Sequence, residues 1–83
     1  RPGTYYLQVG SFKNSEQADR LKAELAIMGF ETVIQKVTID NNKSTDTWHR
    51  VRVGPYSELE VLNSARRKLK AGGIDSSLVR IKG

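Results

Sequence analysis

The sequence predicts an α+β domain whose elements run β-α-β-β-α-β: a four-stranded antiparallel sheet with two helices on one face. Three observations lead there. The chain has 83 residues and no cysteine, so it fits one domain over 1–83 with a small continuous core and no disulfide framework. Apolar residues recur at period two in some stretches and at helical spacing in others. The chain also repeats itself. Shifted by 44 positions, Leu7 meets Val51, Val9 meets Val53, Gly10 meets Gly54 and Phe12 meets Tyr56. Ala18 then meets Leu62, Leu21 meets Ala65, Leu25 meets Leu69 and Gly29 meets Gly73. Each pair matches in physical type, which reads as strand, turn, helix and C-cap occurring twice.

Each element has its own local signal. Residues 4–9 are β-branched, aromatic or aliphatic, with Tyr5, Leu7 and Val9 on one face and Tyr6 and Gln8 on the other. Gly10 and Gly54 are expected in turns, and Pro55 is expected to shape the second one. Asn14 with Gln17 forms a capping-box variant that opens the first helix. Ala18, Leu21, Leu25 and Met28 form its apolar stripe, and Gly29 ends it as a C′ residue. Residues 30–39 predict the second strand, and the polar stretch from Asp40 to Thr47 predicts a hairpin loop. Trp48 to Val53 forms the third strand. Ser57 with Glu60 is a second capping box, Leu62, Ala65 and Leu69 are the second helical stripe, and Gly72-Gly73 stop it. Leu78 to Lys82 forms the last strand. Two right-handed βαβ-type units joined by a hairpin give a ferredoxin-like, or RNP-like, sandwich with the first and third strands central.

In such a sandwich the sheet face away from the helices is open, and function is expected there. Parity assigns its residues. Val51 and Val53 face the helices, so Trp48, Arg50 and Arg52 face outward beside Tyr6 and Gln8. The second strand stays open between two choices: either Ile34 or the Val33–Val37 pair points outward. Aromatic rings flanked by arginine suit a binding surface, because the rings stack while the guanidinium offers paired donors to carboxylate or phosphate. Glutamine suits an amide.

Composition narrows the function. Fourteen basic and nine acidic residues give a formal net charge of +5, which favours an anionic partner. With no cysteine there is no Cys-based metal site, and the single histidine, His49, leaves little for a His-rich metal site or a Ser-His-Asp triad. No cofactor is implied. No carboxylate pair is placed with a nucleophile and none of the acids is expected on the open face, so the domain is not expected to be an enzyme. No apolar run approaches the roughly 18 residues that span a bilayer, so no direct membrane insertion is expected. His49 has the parity of the core valines and is placed at the core edge. The Arg66-Arg67-Lys68-Lys70 cluster reads as a solvated helix face. A monomer is expected. The opening Arg1-Pro2-Gly3 carries no start signal, as in a domain excised from a longer protein.

An RNA-recognition motif would present stacking aromatics on its third strand in the pattern Lys/Arg-Gly-aromatic-Gly/Ala-aromatic. This strand reads Trp-His-Arg-Val-Arg-Val-Gly-Pro-Tyr, without the two strand aromatics. Single-stranded RNA or DNA binding therefore remains the alternative, and nucleic acid is not the expected partner. Tyr-Leu-Gln-Val-Gly-Ser-Phe at 6–12 and Arg-Val-Arg-Val-Gly-Pro-Tyr at 50–56 instead resemble the two signatures of the sporulation-related repeat, or SPOR, domain. Ala18, Leu21, Leu25 and Gly29-Phe30 fit its helical pattern, as does Leu69 followed by Gly73, so the resemblance covers nearly the whole chain.

The resemblance implies a function. SPOR domains bind peptidoglycan in the bacterial periplasm, favouring denuded glycan strands from which amidases have removed the stem peptides. Such strands accumulate at the division septum, so the domain brings its parent protein there, whether an inner-membrane division protein, an outer-membrane-associated lipoprotein or a cell-wall enzyme. The chemistry of the open face suits that ligand. Each freed lactyl group ends in a carboxylate, which Arg50, Arg52 or Lys36 can pair with. Trp48, Tyr6 or Phe12 can stack on sugar faces, and Gln8 and Ser11 can bond acetamido groups or hydroxyls. Phe12 and Tyr56 sit at equivalent repeat positions, which points equally to a packing role. An intact stem peptide would remove the charge and add bulk, giving selectivity.

Overall fold

The computed structural model describes residues 3–81, so Arg1, Pro2, Lys82 and Gly83, including the start of the opening tripeptide and the predicted end of the last strand, lie outside the described residues. The elements run β1 (Thr4–Phe12), α1 (Ser15–Ile27), β2 (Thr32–Asp40), β3 (Thr45–Tyr56), α2 (Leu59–Ala71) and β4 (Ser77–Ile81). One antiparallel sheet has the order β2-β3-β1-β4, with β1 and β3 central as the sequence predicts. Both helices lie on the same side. Between them and the sheet, Leu7, Ala18, Leu25, Val51, Val53, Leu62, Ala65 and Leu69 form a single buried layer. Tyr5, Phe12, Leu21, Phe30, Tyr56 and Ile74 pack around its margin.

The two halves close their helices in the same way. After α1, Phe30 N–H donates to Leu25 O at 2.9 Å and Gly29 N–H to Ala26 O at 3.0 Å. After α2, Ile74 N–H donates to Leu69 O and Gly73 N–H to Lys70 O, both at 2.9 Å. Each is a Schellman closure with a glycine at positive φ, Gly29 at 92° and Gly73 at 83°, followed by an apolar residue packed on the core. The helix starts differ. Asn14 Oδ1 accepts from Glu16 N–H at 2.8 Å and Gln17 N–H at 3.2 Å, as a cap should. At α2 the cap position falls on Glu58, whose side chain makes no cap bond. The expected Ser57 cap does not form, because β3 runs on to Tyr56 and Ser57 lies one residue too early.

Three strand boundaries also depart from expectation. β1 continues through Gly10 to Phe12, so Gly10 is a strand residue and not a turn. β2 begins at Thr32 because residues 29 and 30 complete the closure of α1. The predicted loop shrinks to residues 41–44. There Asn41 Oδ1 accepts from Lys43 N–H at 2.9 Å and Ser44 N–H at 2.8 Å, and Thr45 Oγ1 donates to Asp40 Oδ1 at 2.8 Å. These bonds let the hairpin stay paired out to Asp40 and Thr45.

The central pair carries an irregularity in each strand. Gln8 faces Arg52 but Gly10 faces Val51, so β1 holds one extra residue at Val9. Leu7 faces Val53 but Tyr5 faces Tyr56, so β3 holds its extra residue at Gly54-Pro55. The two bulges fall in the same signature of each repeat, that of β3 one to two positions later than that of β1. Gly54, within β3, has φ 139°, and a Cβ there would lie 3.1 Å from both Tyr5 O and Tyr6 Cδ1. Gly10 is glycine for a different reason: a Cβ would meet Phe12 Cε2 at 2.9 Å and Leu21 Cδ2 at 3.2 Å.

Candidate functional site

Pairing across the sheet decides which side chains share the open face, since directly paired residues point the same way. One row runs Val33, Arg52, Gln8 and Ser77 across β2, β3, β1 and β4. The next runs Gln35, Arg50 and Ser11, and the next pairs Val37 with Trp48. Tyr6 stands beside Val79 with its ring against Gly54. Of the two facings possible for β2, the fold takes the one with Val33 and Val37 outward, while Ile34 pairs with Val51 and packs on the core.

The bulge at Val9 determines the far end of this face. Counting by two from Leu7 would send Ser11 to the helix side and Phe12 to the open side. The extra residue reverses both. Ser11 stands exposed opposite Arg50, while Phe12 packs on the core opposite His49. Phe12 is therefore brought to the helix side, where it lines a shallow hollow with Gln17, Leu21 and Glu24, and it does not join the open-face group. Lys36 pairs with His49 and also takes the helix-side parity. Of the predicted site residues, the fold brings together Tyr6, Gln8, Ser11, Trp48, Arg50 and Arg52.

Arg52 is the most enclosed member, only 8% exposed. Its Nε–H donates to Gln8 Oε1 at 3.1 Å, which fixes the guanidinium over the sheet. Burial, and then the neighbouring positive charge of Arg50, hold its pKa below the ordinary arginine value, with Tyr6 acting the other way. It remains a cation at any physiological pH. Among the described residues neither Arg50 nor Arg52 has a carboxylate partner. A groove of about 320 Å³ crosses this region, lined by Tyr6, Val33, Ile34, Gln35, Arg52 and Ile81. It runs across the strands, apolar at its ends and cationic at its middle.

Three residues of this face are not evident from the sequence. Lys13 Nζ lies 5.3 Å from the centre of the Trp48 ring and 3.5 Å from Asp46 Oδ1. Asp46 shares the face of Trp48, two residues along β3, so one acid does stand on the open side, against expectation. Its polar neighbours disguise it as a loop residue. Gln35, between Val33 and Val37, is hidden by the ambiguous facing of β2. Elsewhere, Lys68 Nζ reaches Met28 O at 3.1 Å and lies 5.2 Å from the Phe30 ring centre, so part of the helical basic cluster ties α2 to the end of α1. Among the described residues no group of three or more His, Asp or Glu is placed to hold a metal ion, and no helix is long and apolar enough to cross a membrane.

The sequence profile of the SPOR domain matches residues 1–80. The chain belongs to the SPOR domain family. Its fold superimposes on the crystal structure of the RlpA SPOR domain from Pseudomonas aeruginosa with a TM-score of 0.71 and 29% identity, covering 93% of this chain and 99% of that one. The solution structure of the peptidoglycan binding domain of the B. subtilis cell wall lytic enzyme CwlC gives 0.68 at 20% identity, covering 99% of this chain and 94% of that one. The Spor protein DedD gives 0.67 at 21% identity, covering 96% of this chain and 40% of that one. In this SPOR domain, the two strand-turn signatures are the segments that carry the paired bulges of the central strands.

Proposed function

We propose that this SPOR domain binds peptidoglycan through its open sheet face, favours denuded glycan strands, and thereby brings its parent protein to the septum in the bacterial periplasm. The domain acts by binding alone. The observation that carries the reading is the Arg50–Arg52 pair on the open face, without a carboxylate partner among the described residues, with Arg52 held by Gln8 and lining a groove with Tyr6. Such a pair is costly to fold and gains its counter-charge from a ligand. A strand whose lactyl groups end in free carboxylates supplies one charge per disaccharide, and its sugar faces suit Tyr6 and Trp48. Gln8 Nε2 and Ser11 Oγ remain available for acetamido oxygens and hydroxyls. A domain of the same fold, that of the lytic enzyme CwlC, is a peptidoglycan binding domain, which supports the ligand class.

The test is a pull-down on purified sacculi with and without amidase treatment. Binding that rises sharply after amidase supports the reading. Binding absent from both, or retained at wild-type affinity by Arg50→Glu and Arg52→Glu, overturns it. A labelled single-stranded RNA in parallel tests the alternative, whose affinity would fall steeply with salt.

A further inference from the structure

The open face holds one charge pair that the glycan reading leaves unused. Lys13 stretches over the Trp48 ring, and Asp46 on the same face holds its ammonium there. The side chain of Lys13 is 61% exposed and that of Asp46 is 37% exposed, so the pair is solvated and readily exchanged. The bulge at Val9 puts Ser11 on the open side, and Lys13, just past the end of β1, places its ammonium over the ring on that same side. A sugar that stacks on the ring from above meets the ammonium first.

We propose that Lys13 is a displaceable cover on Trp48, parked by Asp46, that makes stacking on the tryptophan depend on the charge of the sugar. This rests on the glycan-binding reading and adds a selectivity element to it. A neutral sugar must remove the ammonium from the ring and gains no charge interaction in exchange. An anionic sugar draws the same ammonium onto its carboxylate, so an ion pair takes the place of the cation–π attraction. Asp46 opposes an anion directly, and Lys13 is what makes that acid tolerable: the acid sets the resting position, and its charge is neutralised while the cover is closed. The device rejects an uncharged glycan and not merely a bulky one. It differs from Arg50 and Arg52, which attract the anion whatever happens at the ring.

The domain contains a single tryptophan, so its fluorescence reports on this ring alone. Three proteins are compared: wild type, Lys13→Gln and Asp46→Asn, with the double variant as a check on coupling. Without any glycan, acrylamide, a neutral quencher, should reach Trp48 more readily in both single variants. With denuded strands from amidase-treated sacculi, Lys13→Gln should bind about two- to five-fold more weakly, the size of one exposed cation interaction. With a neutral N-acetylglucosamine oligomer, the same variant should bind as well as wild type or better, so the preference for the charged ligand collapses. Asp46→Asn should raise affinity for the denuded strand, and the double variant should lose that gain. Quenching and ligand preference unchanged in Lys13→Gln would overturn the cover while leaving the glycan reading intact. A wild-type domain that fails to bind the denuded strand would overturn both. The exposed positions of both side chains make misfolding a minor concern, and circular dichroism checks it.

Discussion

Arg52 is the residue at which stability and binding should part. Replacing it with methionine keeps the aliphatic stem and removes the guanidinium. One loss is the Nε–H bond to Gln8 at 3.1 Å, a charge-assisted bond worth about 1.5–3 kcal/mol. Gln8 is only half-buried, so water can take over its oxygen and the effective loss falls at the low end. One gain is relief of repulsion from Arg50, two residues along the same strand and therefore about 7 Å away. Two unit charges at that separation repel by about 0.6 kcal/mol in water and about 2.4 kcal/mol at an effective dielectric of 20. A second gain is that a cation only 8% exposed no longer has to be desolvated. The terms nearly cancel. Arg52→Met should therefore keep its unfolding free energy within about 1 kcal/mol of wild type, or exceed it, while affinity for denuded glycan falls about 30-fold or more, the loss of about 2 kcal/mol expected for one buried charge interaction. Urea unfolding and thermal melting measure the first quantity, and glycan titration the second. A midpoint lowered by more than about 8 °C, beyond what 1 kcal/mol gives for a domain this size, would refute the argument and make Arg52 a structural residue.

Gly54→Ala should destabilise by about 1–3 kcal/mol, because φ of 139° is costly for any Cβ and the added carbon sits 3.1 Å from Tyr5 O and Tyr6 Cδ1; chemical denaturation measures it. Asn14→Ala should cost about 1 kcal/mol through loss of the α1 cap, whereas Ser57→Ala, which removes no cap bond, should be close to neutral in the same assay. The Tyr56 hydroxyl is held above its ordinary value of 10.0, first by burial and then by Glu31. The folded state thus keeps this proton longer than the unfolded chain, so its contribution is complete below pH 10 and is lost as pH rises through 10 towards the higher folded value. Tyr56→Phe should flatten that part of an alkaline stability curve, and an unchanged slope would contradict it.

The sequence makes the fold legible where one residue's face follows from its neighbours. Leu25 and Leu69 declare their helical stripes, and the match of Gly29 with Gly73 is enough by itself to mark two identical helix closures. The site is legible on β3, where Val51 and Val53 allow only one facing for Trp48, Arg50 and Arg52. It stops being legible where the answer lies in a partner strand. Gly10 looks like a turn, yet it follows the bulge at Val9, whose existence depends on β3 register, and Ser11 and Phe12 change face with it. Val33 and Ile34 are both aliphatic, so only pairing with Arg52 and Val51 separates them. Asp46 reads as a loop residue because the hairpin closure depends on the side chain of Asn41, a local bond that polarity alone does not reveal.

The hydrogen bond from Arg52 to Gln8 spans 44 residues of chain. It joins one repeat to the equivalent position of the other, so neither half owns a site. Closing a loop of that length costs chain entropy before any favourable pairing returns it, which places the β1–β3 seam among the last features a folding chain can secure. Ligand affinity is consequently a reporter of completed folding. A chain with one half formed and the other frayed has a helix and a capped end, but β1 does not pair with β2 nor β3 with β4, so it has no sheet and presents no groove. A ligand on the seam draws that equilibrium towards the finished domain, so occupancy by the polymer and resistance to local opening should rise together.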